Sequence, residues 1–84
     1  MLHIQDAKYI DDYVLWVAFD DGTCGEVDLE GQLKGSVFEP LKDKSFFAQV
    51  TVDEELETVV WPNGADLAPE FLKSLHDNWM SQAA

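Results

Sequence analysis

The residues that could do chemistry are few and lie far apart in the sequence. The single thiol, Cys24, stands two residues before Glu26, and a neighbouring carboxylate disfavours the thiolate that nucleophilic catalysis requires. The two histidines, His3 and His76, lie near opposite ends of the chain. Neither belongs to a pair one helical turn apart, which is the spacing of many metal sites. We therefore expect both histidines to be surface or boundary residues.

Carboxylates are abundant, but their pattern is not that of a binding loop. The densest cluster, DEELE at residues 53–57, lacks the interleaved Asp, Asn and Gly residues of a calcium loop, so a solvated turn is expected. Gly31 and Gly35 are not followed by Lys-Ser or Lys-Thr, so no phosphate-binding loop is predicted either. The sequence indicates a protein that is not an enzyme, with no catalytic residue, no cofactor and no metal ligand.

The charge of the chain is strongly negative. Seventeen carboxylates stand against five lysines, with no arginine, and give a formal net charge of -12. Such a surface repels nucleic-acid phosphates, and it lacks arginine, whose guanidinium group binds a phosphate through two hydrogen bonds. Direct binding of nucleic acid is therefore not expected. The same field attracts a basic protein partner. Alternatively, the charge serves only to keep a small apolar domain soluble.

Length and composition predict one folded domain over residues 1–84. A chain of 84 residues with 46% hydrophobic residues is too apolar to be disordered and too short for a second core. One cysteine cannot form an internal disulfide, and the N-terminus shows no basic segment followed by an apolar one. No apolar run is long enough to span a bilayer. The sequence thus predicts a cytoplasmic protein that is not bound to a membrane.

The first half of the chain predicts an antiparallel β-meander. The three strand-like segments cover residues 3–10, 13–19 and 23–29, and β-branched and aromatic residues dominate the second. Asp11-Asp12 and Asp21-Gly22 supply the two tight turns, since the second pair tolerates the positive φ of a hairpin. We expect these three strands to be neighbours in one sheet.

The second half predicts short strands between two helices. Asp43 is placed to cap a helix of about two turns over residues 44–49. Two further short strands should flank an acidic turn at residues 53–55. A final amphipathic helix is expected from Pro69 to Met80. Its apolar face is predicted to carry Phe71, Leu72, Leu75 and Trp79. The predicted fold class is therefore α+β.

The stretch VVWPNGADLAPEF, at residues 59–71, contains the residue types of a strand-to-helix corner. Pro62 ends a strand because it cannot donate a ladder hydrogen bond, and Asn63-Gly64 turns the chain. Trp61 is expected in the core, and Asp66 is expected to cap or orient the helix that follows. The corner is either purely structural or lines a shallow ligand pocket.

Strand alternation predicts a second apolar surface. If Leu15 and Val17 face the core, Val14 and Trp16 must face the other way. On the next strand, Glu26 and Asp28 are predicted to lie on that same outer side. Either the final helix covers Trp16 or another chain does, because exposed aromatic residues rimmed by charge are typical of association sites. Val14, Trp16, Glu26 and Asp28 are therefore the candidate interaction surface.

Three stretches, YVLWVAFDDGT, VFEPLKDKSFFAQVTVD and ETVVWPNGADLAPEFL, resemble the bacterial domain of unknown function 2442 family. They follow one another in the family's order, and the last, with its WPNGADL segment, is the most specific. The resemblance implies an α+β domain with an antiparallel sheet. It supplies no catalytic residues.

The resemblance also implies two kinds of role. Some family members precede a helix-turn-helix DNA-binding domain, which favours a small-ligand-sensing domain. Others stand alone beside a small partner in arrangements suggestive of toxin and antitoxin. With the charge, this favours an acidic interaction module that neutralises a basic protein or forms a homodimer, and this is the leading hypothesis from the sequence.

Overall fold

A computed structural model describes the backbone of residues 1–83 and the side chains of residues 1–78. Three strands, β1 (Ile4–Asp11), β2 (Val14–Phe19) and β3 (Cys24–Asp28), form an antiparallel sheet in the order β1-β2-β3. The β1–β2 turn lies one residue later than predicted, because Asp11 still pairs with Val14 and Asp12 takes the positive φ of 45°. The predicted β-meander is confirmed.

The second half adds a small hairpin and two helices. A 3-10 turn (Glu39–Lys42) precedes α1 (Lys44–Phe47), β4 (Thr51–Asp53) pairs antiparallel with β5 (Thr58–Val60), and α2 (Pro69–Ala83) closes the fold. The α+β class with two further short strands is therefore confirmed. The helix α1 is shorter than the two turns predicted.

The start of α1 follows the capping rule. The Asp43 carboxylate accepts hydrogen bonds from the backbone N–H of Ser45 at 3.0 Å and from its hydroxyl at 2.8 Å. These bonds satisfy a donor that the first turn of a helix would otherwise leave free. The same two contacts from Ser45, the side chain first, hold the pKa of Asp43 below its usual range. The predicted cap is confirmed.

The core lies on one side of the three-stranded sheet. Leu15, Val17 and Phe19 of β2 are almost completely buried, while the residues between them are only partly buried. Val27 on β3 points to the same side and is also buried. This alternation is the period-two pattern predicted for a strand with one core-facing side.

The aromatic ring of Phe47 lies at the centre of this core. Tyr9 and Tyr13 meet it edge-on, with ring centroids at 5.9 and 5.5 Å, and Trp61 packs at 5.7 Å. The indole N–H of Trp61 donates to the backbone carbonyl of Phe47 at 2.8 Å. Trp61 is only 3% exposed, as predicted. Ring packing and a hydrogen bond therefore join the residue after β5 to α1 inside the core.

The helix α2 packs on the core side of β3, with His76 facing the sheet. His76 is 6% exposed, and its Nδ1 donates to the backbone carbonyl of Glu26 at 3.0 Å. A Cβ atom at Gly25 would lie 2.3 Å from Cε1 of His76, so only glycine leaves room for the ring. The prediction that His76 is a surface or boundary residue is wrong, because this contact buries it.

The apolar side of α2 also differs from the prediction at one position. Leu72 is completely buried and Leu75 partly so, but Phe71 is 37% exposed. Because His76 faces Gly25 and Leu72 lies one turn before it, Phe71 is rotated away from the core. The predicted packing of Trp79 lies outside the described side chains.

We predict that Trp61→Phe destabilises the protein while Trp16→Phe does not. The first change keeps an aromatic ring but leaves the buried carbonyl of Phe47 without its donor, which costs about 1–3 kcal/mol. Trp16 is only partly buried, so its change should stay within about 0.5 kcal/mol. Urea unfolding measures both. Equal stability of the two variants would contradict the importance of the Trp61 bond.

Candidate functional site

The side of the sheet opposite the core, which we call the open face, carries an apolar centre with acidic margins. Cross-strand partners in an antiparallel sheet share a side, so the register defines its members. They are Asp6, Lys8 and Asp11 of β1, Val14, Trp16 and Ala18 of β2, and Cys24, Glu26 and Asp28 of β3. The structure thus brings together all four residues of the predicted interaction surface.

The three central residues of the open face are only partly buried. Val14, Trp16 and Ala18 keep contact with solvent, and the neighbouring β3 residues Glu26 and Asp28 are exposed. An apolar strip within a charged border is the composition of many interaction sites. The open face therefore combines a partly buried apolar strip with exposed carboxylates.

The two helices contact the sheet on its core side. The helix α2 meets β3 through Gly25, and Phe47 of α1 contacts Tyr9, whose cross-strand partner Leu15 is buried. The described side chains therefore do not place the final helix over Trp16. Trp16 instead has Lys8 beside it, with Nζ 5.4 Å from the ring centroid.

The corner at residues 61–66 is held by hydrogen bonds to its own backbone and to one loop. The backbone N–H of Trp61 donates to Ala65, and that of Gly64 donates to Trp61. The Asn63 side chain accepts from the N–H of Ala65 at 3.1 Å and donates to the carbonyl of Val37 at 2.8 Å. Gly64 has φ 87°, which glycine adopts without strain.

Asp66 does not cap the helix after the corner. The first helical carbonyl is that of Ala68, which accepts from the N–H of Leu72 at 3.2 Å, so Asp66 lies two residues before the cap position. Its backbone forms an isolated bridge with Val60. Pro62 is exposed at the outside of the bend.

Two cavities lie away from the corner. One, of about 270 Å³, is lined by Tyr13, Glu30, Gly31, Leu33, Lys34 and Lys42. The other, of about 420 Å³, is lined by His3, Ile4, Gln5, Asp20, Val52, Asp53, Glu54 and Glu57. No corner residue lines either of these two cavities.

His3 links two turns at the margin of the second cavity. Its Nδ1 lies 2.8 Å from the Asp20 carboxylate and its Nε2 lies 2.9 Å from that of Glu57. The backbone N–H of His3, and next its ring, hold the pKa of Asp20 below its usual range. Sequence reasoning missed this cluster, because its members are distant along the chain and share no motif.

The potential nucleophile and bases are not brought together. Cys24 is exposed on the open face, whereas His76 is buried on the core side of the same strand. Among the described residues, no group of three or more His, Cys, Asp or Glu side chains is arranged to hold a metal ion. No helix in that part of the chain is long and apolar enough to cross a membrane.

The fold and the open face define a small α+β domain with a three-stranded meander, a short hairpin and one long helix. The family model of proteins of unknown function DUF2442 matches residues 4–75. The chain belongs to this family, as the resemblance indicated.

A solved structure shares the fold. It is the crystal structure of a candidate DNA-binding protein from Nitrosomonas europaea ATCC 19718, with a TM-score of 0.83 at 20% sequence identity. The match covers 96% of this chain and 52% of that protein, so the chain spans about half of its length. No curated protein matches the chain.

We predict that Asp20→Asn weakens the acid sensitivity of the protein. A carboxyl group whose pKa is lowered by folding stabilises the protein above its unfolded-state pKa. That contribution is lost as the pH falls through the lower, folded-state value. Urea unfolding of both proteins from neutral pH down to about pH 3 should show a smaller loss for Asp20→Asn. Parallel losses in both proteins would contradict the assignment.

Proposed function

We propose that this chain is a non-enzymatic interaction module that binds a basic protein segment on the open face. The observation that supports this proposal is a partly buried tryptophan at the centre of a sheet side. The margin of that side carries four carboxylates, Asp6, Asp11, Glu26 and Asp28, and one lysine. Apolar centres supply binding energy by burial, and the charged margin selects a partner of opposite sign.

A basic partner fits this surface better than a second copy of the chain. In a symmetric dimer through the open face, the acidic margin would meet an identical margin, and like charges at close range oppose association. The whole chain, at a formal net charge of -12, adds to that repulsion. It also accelerates the encounter with a basic protein at low salt. A role like that of an antitoxin, in which the module covers a small basic protein, is consistent with this chemistry.

The same charges make direct contact with DNA an unsuitable role for the open face. Its carboxylates would face phosphates, and the chain has no arginine to neutralise them.

A second candidate function is small-ligand sensing, as in a domain attached to a helix-turn-helix regulator. The cavity of about 270 Å³ favours it, because two of the five lysines line that space together with Tyr13, Leu33, Gly31 and Glu30. That volume lies just below the usual range of about 300–1,000 Å³ for ligand pockets. Lys42 is also engaged by Glu39 at 3.3 Å, so we rank this function second.

The proposed function predicts that removing charge from the open face weakens binding of a basic probe. The variant Glu26→Gln/Asp28→Asn should bind a short peptide of mixed arginine and lysine about threefold or more weakly at low salt. Asn at position 28 can still accept the N–H of Glu30. Isothermal titration calorimetry measures the affinity.

The matched control is Glu54→Gln/Glu55→Gln, which removes the same charge from exposed residues of the β4–β5 turn. It should retain most of the affinity. Equal weakening in both double variants would show that only total charge attracts the peptide. In that case the open face is not the binding site.

A further inference from the structure

Lys8 is the one cation of the open face. Its Nζ lies over the Trp16 ring at 5.4 Å from the centroid. The lysine–carboxylate pairs within the described part of the chain involve Lys42, Lys44 and Lys73 but not Lys8. In a protein with seventeen carboxylates, this ammonium group is therefore placed on an aromatic ring and not on an acid.

On β3, the residue directly opposite Trp16 is the carboxylate Glu26. Leu29 N–H donates to the carbonyl of Tyr13 at 2.8 Å, so Tyr13 and Leu29 form a hydrogen-bonded pair. Hydrogen-bonded and non-hydrogen-bonded pairs alternate along the two strands. Three residues further along, Trp16 and Glu26 are directly opposite and form a non-hydrogen-bonded pair. In such pairs the side chains approach most closely, with Cα atoms about 4.5 Å apart.

An indole beside a carboxylate is a receptor for a planar cation. A guanidinium group can stack on the ring while its N–H groups bond to the carboxylate, and arginine does this better than lysine. Lys8 now occupies the cationic position beside the Trp16 ring. Its own ammonium group would repel a second cation arriving there.

We propose that Trp16 and Glu26 form the binding site for an arginine side chain of the basic partner, and that Lys8 competes with that arginine for the ring. This inference rests on the proposed function and adds the residue type that is recognised. Lys8 acts as an internal substitute for the ligand. It covers the ring in the free protein and must move aside when the partner binds.

The test compares Lys8→Gln with Lys34→Gln. Both lysines are exposed and each change removes one positive charge, but Lys34 lines the cavity near Tyr13 and is not on the open face. The probes are a short glycine-serine peptide with arginines, the same peptide with lysines and the same peptide with citrullines. Fluorescence anisotropy at fixed low salt gives the affinities.

Lys8→Gln should bind the arginine peptide about two- to fivefold more tightly than Lys34→Gln does, the size of one exposed cation–π contact. Trp16→Leu should bind the arginine peptide and the lysine peptide equally well. The citrulline peptide should bind weakly to every variant. Thermal melting confirms that each variant is folded.

Equal gains from the two lysine changes, or a preference for arginine that survives Trp16→Leu, would overturn the inference. Either result leaves the proposed function intact if Glu26→Gln/Asp28→Asn still weakens binding. No binding of any cationic peptide to any of the proteins would overturn both.

Discussion

The hydrogen bond from the Trp61 indole to the Phe47 carbonyl is the contact on which the architecture depends. Both groups are buried, and each would carry a large desolvation cost without the other. Their pairing fixes the corner at residues 61–66 against α1. The ring of Phe47 then contacts Tyr9 of β1 and Tyr13 of the β1–β2 turn. Strands, hairpin and corner therefore meet on one side of the sheet.

This one-sided arrangement determines what the protein can offer to other molecules. The helices contact the core side of the three-stranded sheet at Gly25 and Tyr9, and Trp16 on the other side stays only partly buried. The second side retains Trp16 between Lys8 and Glu26. By our proposal, the acidic margin around that aromatic residue sets the charge of its partner.

The sequence predicted features that depend on local rules, and it failed where distant residues decide the outcome. Asp43 caps a helix, and β2 alternates, because each needs only its neighbours. The burial of His76 depends on the space above Gly25 and on the free carbonyl of Glu26, which no local pattern reveals. For the candidate site, alternation predicted four members of the open face, Val14, Trp16, Glu26 and Asp28. Only the strand register added the β1 residues and placed Lys8 beside Trp16.

The most direct measurement of the central claim is a map of amide chemical-shift changes when an arginine peptide is added to the isotope-labelled protein. The account predicts that the largest changes fall on residues 6–8, 14–18 and 24–28, with the indole signal of Trp16 shifting and that of Trp61 unchanged. Changes concentrated around His3, Asp20 and Glu57 would contradict it, since the acidic cavity and not the open face would then be the binding site.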